Sequence, residues 1–213
     1  MNSIKTEIRT SILATLSLAF IACLLYPAIV WGLGQTFFSD NANGSLIVRD
    51  GKVIGSKLIG QNFSSPRYFH SRPSAAGKGY DAAASSGSNV GPISDKFLNG
   101  IVDDPKTKED ESFAGLKQRV ETYRGMNGLG SDVKIPPDAV TASASGLDPH
   151  ISPRNAELQT PRIARERGIS EVAVKAILEQ YTDRRFLGLL GDDGVNVLMV
   201  NLALDNGGKA ILK

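Results

Sequence analysis

The strongest constraint on this chain is a long run without charge near its start. From Thr10 to Ser39 no Asp, Glu, Lys or Arg occurs, and Ile12 to Trp31 is a stretch of twenty positions dominated by Leu, Ile, Ala, Val and Phe. An α-helix rises ~1.5 Å per residue, so twenty residues span ~30 Å, the thickness of a bilayer's hydrocarbon core. Thr15 and Ser17 fit such a helix, because a hydroxyl can bond back to a carbonyl one turn earlier. Tyr26 and Trp31 lie toward one end, where amphipathic rings settle at the lipid–water interface. Pro27 removes the donor that would reach the carbonyl of Cys23, which predicts a kink there. The pattern predicts a transmembrane helix over residues 11–33, between an N-terminal segment, 1–10, and a turn-rich linker, 34–45. A cleaved signal peptide or a lipoprotein signal is the competing reading. The first would have a shorter apolar region than this one, which continues past Ala28. For the second, Phe20 to Cys23 is a poor match to a lipidation site.

Basic residues flanking the run set an expected orientation. Lys5 and Arg9 stand close to its N-terminal side, whereas the other side shows no basic residue until Arg49. The positive-inside rule then places residues 1–10 in the cytoplasm and the remainder outside.

Beyond the anchor there is enough chain for one domain with its own core, expected over 46–213. Outside the anchor and its N-terminal flank, 22 Lys and Arg face 21 Asp and Glu, so no strong attraction to nucleic acid or anionic lipid follows. The single cysteine, Cys23, lies in the apolar run, which leaves the domain without disulfide or thiolate chemistry. That fits an extracytoplasmic face without requiring one.

The domain reads as mixed α/β (α+β), with a small sheet and several helices. Asp50-Gly51 between Leu46–Arg49 and Lys52–Gly55 signals a hairpin. Residues 74–92 are rich in Ala, Gly and Ser. Composition suggests a flexible linker, yet the interspersed Lys78, Tyr80, Asp81 and Asn89 also suit an ordered loop docked on a partner or on the domain. A short helix is expected over Ile93–Val102, and Lys106–Arg124 has helical composition. Ser152-Pro153 places an N-cap before a proline at the first helical position, starting a helix toward Gln159 that Pro161 breaks or restarts. Ile163–Arg167, Gly168 and Ser170–Tyr181 make a helix–turn–helix. Val195 to Leu204 is nearly all apolar and reads as a strand.

Motifs for chemistry are thin. The helix–turn–helix resembles a DNA-binding unit in outline, but residues 162–185 carry six basic and four acidic side chains, a weak footprint for phosphates. No nucleic-acid partner is expected. Ser131-Asp-Val-Lys134 matches Ser-x-x-Lys and Ser88-Asn89 faintly echoes a second element, but no Lys-Thr-Gly follows. His70 and His150 are the only histidines, with no Cys cluster or ligand spacing for a metal. No phosphate-binding Gly-x-x-x-x-Gly-Lys-Ser/Thr occurs. These residues predict no catalytic set and no metal; on their own they leave a membrane-anchored envelope binding protein or serine hydrolase as a reading.

Several combinations, taken in order, carry a resemblance. They are Tyr26-Pro27 in the anchor, Gly55–Gln61 with Phe63, Tyr68–Ser74, Ser86–Asn89, Thr141–Ser152, and Gly194–Leu198 with Asn201. Together they resemble the C subunit of Kdp-type potassium-transporting ATPases over nearly the whole chain. The resemblance implies an accessory subunit of a high-affinity, ATP-driven potassium importer in a bacterial plasma membrane. The implied partners are a channel-like potassium-binding subunit, a P-type ATPase subunit and a small membrane peptide, with ATP and potassium handled by the complex and no cofactor of its own. The family is credited with raising the ATPase subunit's affinity for ATP, and a glutamine near a Ser-Gly loop has been likened to a nucleotide-binding signature. By that analogy Ser143, Ser145, Gly146 and Gln159 are candidate nucleotide contacts. An outer domain cannot touch a cytoplasmic nucleotide, so the orientation argument favours action through assembly and conformational bias. The loops carrying Arg67, Tyr68 and Arg72, and Ser88 and Asn89, are then the candidate partner contacts.

Overall fold

The computed structural model describes residues 2–101 and 113–207. The end of the helix expected at Ile93–Val102 and the first part of that expected at Lys106–Arg124 lie outside the described residues. The chain divides into two compact units, Met1–Ser56 and Lys57–Lys213.

In the first unit, α1 (Asn2–Ala19), a π-helical turn over Phe20–Leu25 and α2 (Tyr26–Phe37) run on as one helix. Its stretch Ser3–Phe37 is 35 residues long and contains an apolar window sufficient to cross a membrane, whose surface is unburied. A π turn stands just before Pro27, at the position of the expected kink. The Tyr26 N–H reaches back to the Ile21 carbonyl, five residues away. The widened turn relieves the clash between the proline ring and the Cys23 carbonyl. A short turn of helix, α3 (Ser39–Ala42), leads into β1 (Leu46–Arg49) and β2 (Lys52–Ser56), paired antiparallel. The expected hairpin turn is present, with φ of 52° at Asp50 and 74° at Gly51. Asparagine, aspartate and glycine tolerate that region, and a primed turn requires it.

In the second unit α4 (Asp95–Asn99) and α5 (Leu116–Asn127) precede a three-stranded antiparallel sheet of very short strands, β3 (His150–Ile151), β4 (Thr182–Asp183) and β5 (Gly194–Asn196), in the order β3-β5-β4. Helices α6 (Pro153–Arg167), α7 (Glu171–Gln180) and α8 (Val197–Asp205) complete it. Helix α6 is central. One side contributes Ala156, Ile163 and Ala164 to a core with Val174, Ile177 and Leu178 of α7, Val197, Val200, Ala203 and Leu204 of α8, Ile151, Val195 and Phe69. Its Leu158 joins a second cluster with Tyr123 of α5 and Val140. Each wholly buried Ile or Val contributes about 1.5–3 kcal/mol of transfer free energy.

Ser152 caps α6 as expected, its Oγ accepting from Asn155 N at 3.1 Å. Asp138 fixes that cap. Its carboxylate accepts from Ser152 N at 2.7 Å, Ser152 Oγ at 2.9 Å and Asn155 Nδ2 at 2.9 Å. Pro161 does not break α6. It lies on the exposed side, so the helix bond it forfeits leaves the carbonyl of exposed Glu157 open to water.

The strand expected from Val195 to Leu204 is corrected. Only Gly194–Asn196 is extended, and Asn196 then caps α8, its side chain accepting from Met199 N at 3.1 Å. Burial of Val197, Leu198, Val200, Asn201, Ala203 and Leu204 follows a helical period, not an alternation. The Ala/Gly/Ser-rich stretch is docked on the domain. Ser74 Oγ donates to Gly146 O at 2.6 Å, and Ser86 N and Ser85 Oγ both donate to Ser145 O at 3.0 Å.

Candidate functional site

The most densely bonded feature of the second unit is a clamp on the extended segment around Phe69 and His70. Asn201 of α8 accepts from Phe69 N at 2.8 Å and donates to Phe69 O at 2.9 Å. Gln159 of α6 does the same one residue on, accepting from His70 N at 2.8 Å and donating to His70 O at 3.1 Å. A carboxamide has the donor and acceptor of a peptide group, so each side chain substitutes for a neighbouring strand. Phe69 then fills the core below, fully buried.

Arg162, one turn further along α6, is 1% exposed. Its guanidinium donates to Asn127 Oδ1 at 2.9 Å, Tyr68 O at 3.0 Å, Gln159 Oε1 at 2.8 Å and also Pro66 O. None of these acceptors is charged. Burial pushes its pKa down to about 10, the charge of Glu166 opposing it only in part, since a guanidinium bonded to neutral acceptors loses more in hydration than it regains. Tyr123 Oη donates to Asn155 Oδ1 at 2.7 Å, and Gln159 Nε2 donates to the same oxygen at 2.9 Å. The polar groups of α5, α6 and α8 thus form one satisfied network around the segment 66–70. Burial also lowers the pKa of His70, whose Nε2 lies 3.0 Å from Ser65 O.

The candidate nucleotide contacts fall in separate places. Gln159 is buried with both carboxamide atoms engaged in the clamp. Ser143 is buried, Ser145 Oγ accepts from Leu147 N at 3.1 Å, and Gly146 sits at φ 67°. A Cβ on Gly146 would meet Ser86 O at 2.5 Å and Ala76 N at 2.8 Å, so the glycine permits loop-on-loop contact. Of the candidate partner contacts, Arg72 binds Asp148 at 3.0 Å and the Ala142 carbonyl at 3.3 Å. Tyr68 donates to Asp205 at 2.9 Å, which raises its pKa, with the Arg167 guanidinium 5.0 Å from its ring centre. Arg67 is exposed, and its carbonyl accepts from Arg167 Nε at 2.7 Å. Ser88 is half-buried and Asn89 exposed, the latter at φ 51°.

No hydroxyl nucleophile is bonded to either histidine among the described residues. His150 Nε2 meets Asp183 at 2.9 Å, its Nδ1 is 3.9 Å from Asp148, and His70 meets a backbone carbonyl. A cavity of about 440 Å³ beside the clamp is lined by Arg72, Lys78, Tyr80 and Arg119. Another of about 560 Å³ is lined by Asp138, Asp148, Asp183, Asp192 and Asp193. These five carboxylates already accept from Ser152, Arg72, His150, Arg185 and Arg184. Among the described residues no group of three or more His, Cys, Asp or Glu is placed to hold a metal ion.

Sequence reasoning passed over Arg162, Asn155 and Asp138. Arg162 and Asn155 share a helix with Gln159, and the i, i+3, i+4 and i+7 spacing of Asn155, Leu158, Gln159 and Arg162 was the available signal.

The fold and this network define a class: one membrane-length apolar helix joined to a small α/β domain whose buried polar groups are spent on holding its own loops. Comparison with known proteins narrows the class. The description "K+-transporting ATPase, c chain" of the KdpC family matches residues 8–206. Similar chains include the potassium-transporting ATPase KdpC subunit of Mycobacterium bovis, 52% identical over 185 residues, covering 87% of this chain and 90% of that one. Those of Koribacter versatilis (44% over 201 residues, 94% and 95% covered) and Acidobacterium capsulatum (48% over 199, 93% and 97%) are also similar. The chain belongs to the KdpC family, the c subunit of K+-transporting ATPases.

Proposed function

We propose that the chain is a non-catalytic, single-pass subunit that assembles and stabilises a high-affinity potassium importer in a bacterial plasma membrane. Its N-terminus is cytoplasmic and its α/β domain lies outside. The companions are a potassium-binding channel-like subunit, a P-type ATPase subunit and a small membrane peptide. The observation that carries this reading is the unburied apolar helix Ser3–Phe37 in a member of this family. Such a surface is stable only against lipid or other spans, and Ala14, Ser17, Ala22 and Ala28 allow close approach of neighbouring helices. The occupation of Gln159 within the clamp favours an indirect effect on ATP affinity, passed through the complex as a coupling free energy, over direct contact.

Topology is tested by cysteine labelling in intact cells. Lys78 is exposed, so Lys78→Cys on a Cys23→Ser background gives one accessible thiol. Rapid modification by a membrane-impermeant maleimide is the expected result. Protection until lysis, in the isolated chain as well as in the complex, would reverse the orientation.

A further inference from the structure

Between β4 and β5 the chain makes a hairpin that turns its apolar residues outward. Phe186, Leu187, Leu189 and Leu190 are 68%, 78%, 82% and 64% exposed, four large apolar side chains in five consecutive positions. The tip is held in shape. Phe186 N donates to Leu190 O at 2.9 Å and Leu190 N to Phe186 O at 3.0 Å, with Leu187 at φ 54° and Gly188 at φ 71°. The arms are tied as well. Arg184 pairs with Asp193 at 3.1 Å and with Glu179, Arg185 pairs with Asp192 at 3.1 Å, and Arg185 N donates to Asp193 at 3.0 Å. Four large apolar side chains clustered on one hairpin, tied at its tip and along its arms, mark a contact, because their exposure costs solvation and their order is already in place before binding.

We infer that this hairpin, Arg184–Asp193, is the docking element that seats in an apolar socket on a membrane-embedded companion subunit of the same ATPase. Charge decides against a lipid surface. A loop that settles on anionic headgroups carries free Lys or Arg beside its apolar residues. Here both arginines are committed to carboxylates, and within the hairpin Asp192 and Asp193 balance their charge. Four side chains on one hairpin tip also cannot supply, against the same tip of a second copy, the ~800 Å² per partner that a stable interface needs. Seating of the tip in a groove elsewhere on a second copy would be head-to-tail and would not close. The Arg67–Ser74 and Ser85–Gly91 loops are less suited to docking, since their polar groups are largely engaged within the domain.

This inference rests on the subunit reading above, and the test separates the two. The tagged full-length chain is co-expressed with its companion subunits and recovered from detergent as wild type, as L187S/L189S and as the exposed-surface control V172S. The double variant is expected to retain companions roughly tenfold less well or worse, while its own protease resistance and membrane insertion match wild type. The control is expected to behave as wild type. A photo-crosslinker at position 189 is expected to capture a companion subunit in intact cells. Normal recovery of companions by the double variant overturns the inference alone, as does an adduct confined to lipid or to a second copy. If the wild-type chain recovers no companion, the subunit reading falls and this inference falls with it.

Discussion

Gln159 separates two accounts of what this family's domain does. If it were held ready for a nucleotide, Gln159→Ala would weaken ATP binding and leave the domain intact. Its carboxamide is instead bonded to His70 N and His70 O, and also to Asn155 and Arg162. Removing it strands several buried groups, each costing about 1–3 kcal/mol. Gln159→Ala is therefore expected to destabilise the domain by about 2–4 kcal/mol, read as a lower urea midpoint of the full chain in detergent. Complex that does assemble should bind ATP as before. The opposite pattern, an unchanged midpoint with weaker ATP binding, would reinstate direct contact. His70 gives a second residue-level prediction. Burial first, and then the charge of Arg162, lower its pKa from the ordinary 6.5, while the Ser65 carbonyl opposes them. The unfolded chain therefore binds more protons than the folded chain once pH falls below about 6.5, and stability is lost on acidification through that window down to the folded pKa. His70→Gln keeps a donor for Ser65 and has nothing to titrate. Its urea midpoint should fall less steeply than wild type between pH 7 and 5, and parallel curves would remove His70 as the cause.

Elements with local punctuation were legible, and those defined by tertiary contact were not. Asp50-Gly51, Ser152-Pro153 and the Gly168–Ser170 turn each carry their geometry in two or three residues, and all appear where expected. The stretch from Val195 to Leu204 has no such marker. Its residues are almost uniformly apolar, so neither a period of 2 nor one of 3.6 stands out, and β-branched valines tilted the reading toward a strand. What decided the matter was Asn196, which caps the helix and also donates to Lys57 O at 2.9 Å, a contact 139 positions away. Pro161 was misread for a related reason. Whether a proline ends a helix depends on which side it faces, and α6 is fixed by its burial on α5, α7 and α8. The clamp was half visible. Gln159 and Asn201 stood out through resemblance, but their common purpose needs the chain from Phe69 to His70 laid between two helices remote in sequence. The outward-facing hairpin from Phe186 to Leu190 carries no sequence signal of its exposure, because composition does not say which side of a fold a residue faces.

At the scale of the whole molecule, the anchor and the domain raise one thermodynamic question. With its folded domain across the membrane from the ATP site, as proposed, the chain could change ATP affinity only by preferring one global state of the complex over another. Linkage then makes the effect mutual. Whatever factor the chain contributes to ATP binding, ATP must return to the chain's own binding, and couplings of this kind are typically roughly 5- to 150-fold. The measurement uses complex depleted of this chain and held in nanodiscs. The Kd of a non-hydrolysable ATP analogue is determined with and without saturating chain, and the Kd of labelled chain with and without saturating analogue. Equal ratios above one are the expected outcome. Ratios of one in both directions would leave the chain an assembly factor without influence on ATP. A change in turnover with both ratios at one would place its action on a rate, not on an affinity, because reciprocity binds equilibrium constants and leaves kinetic ones free.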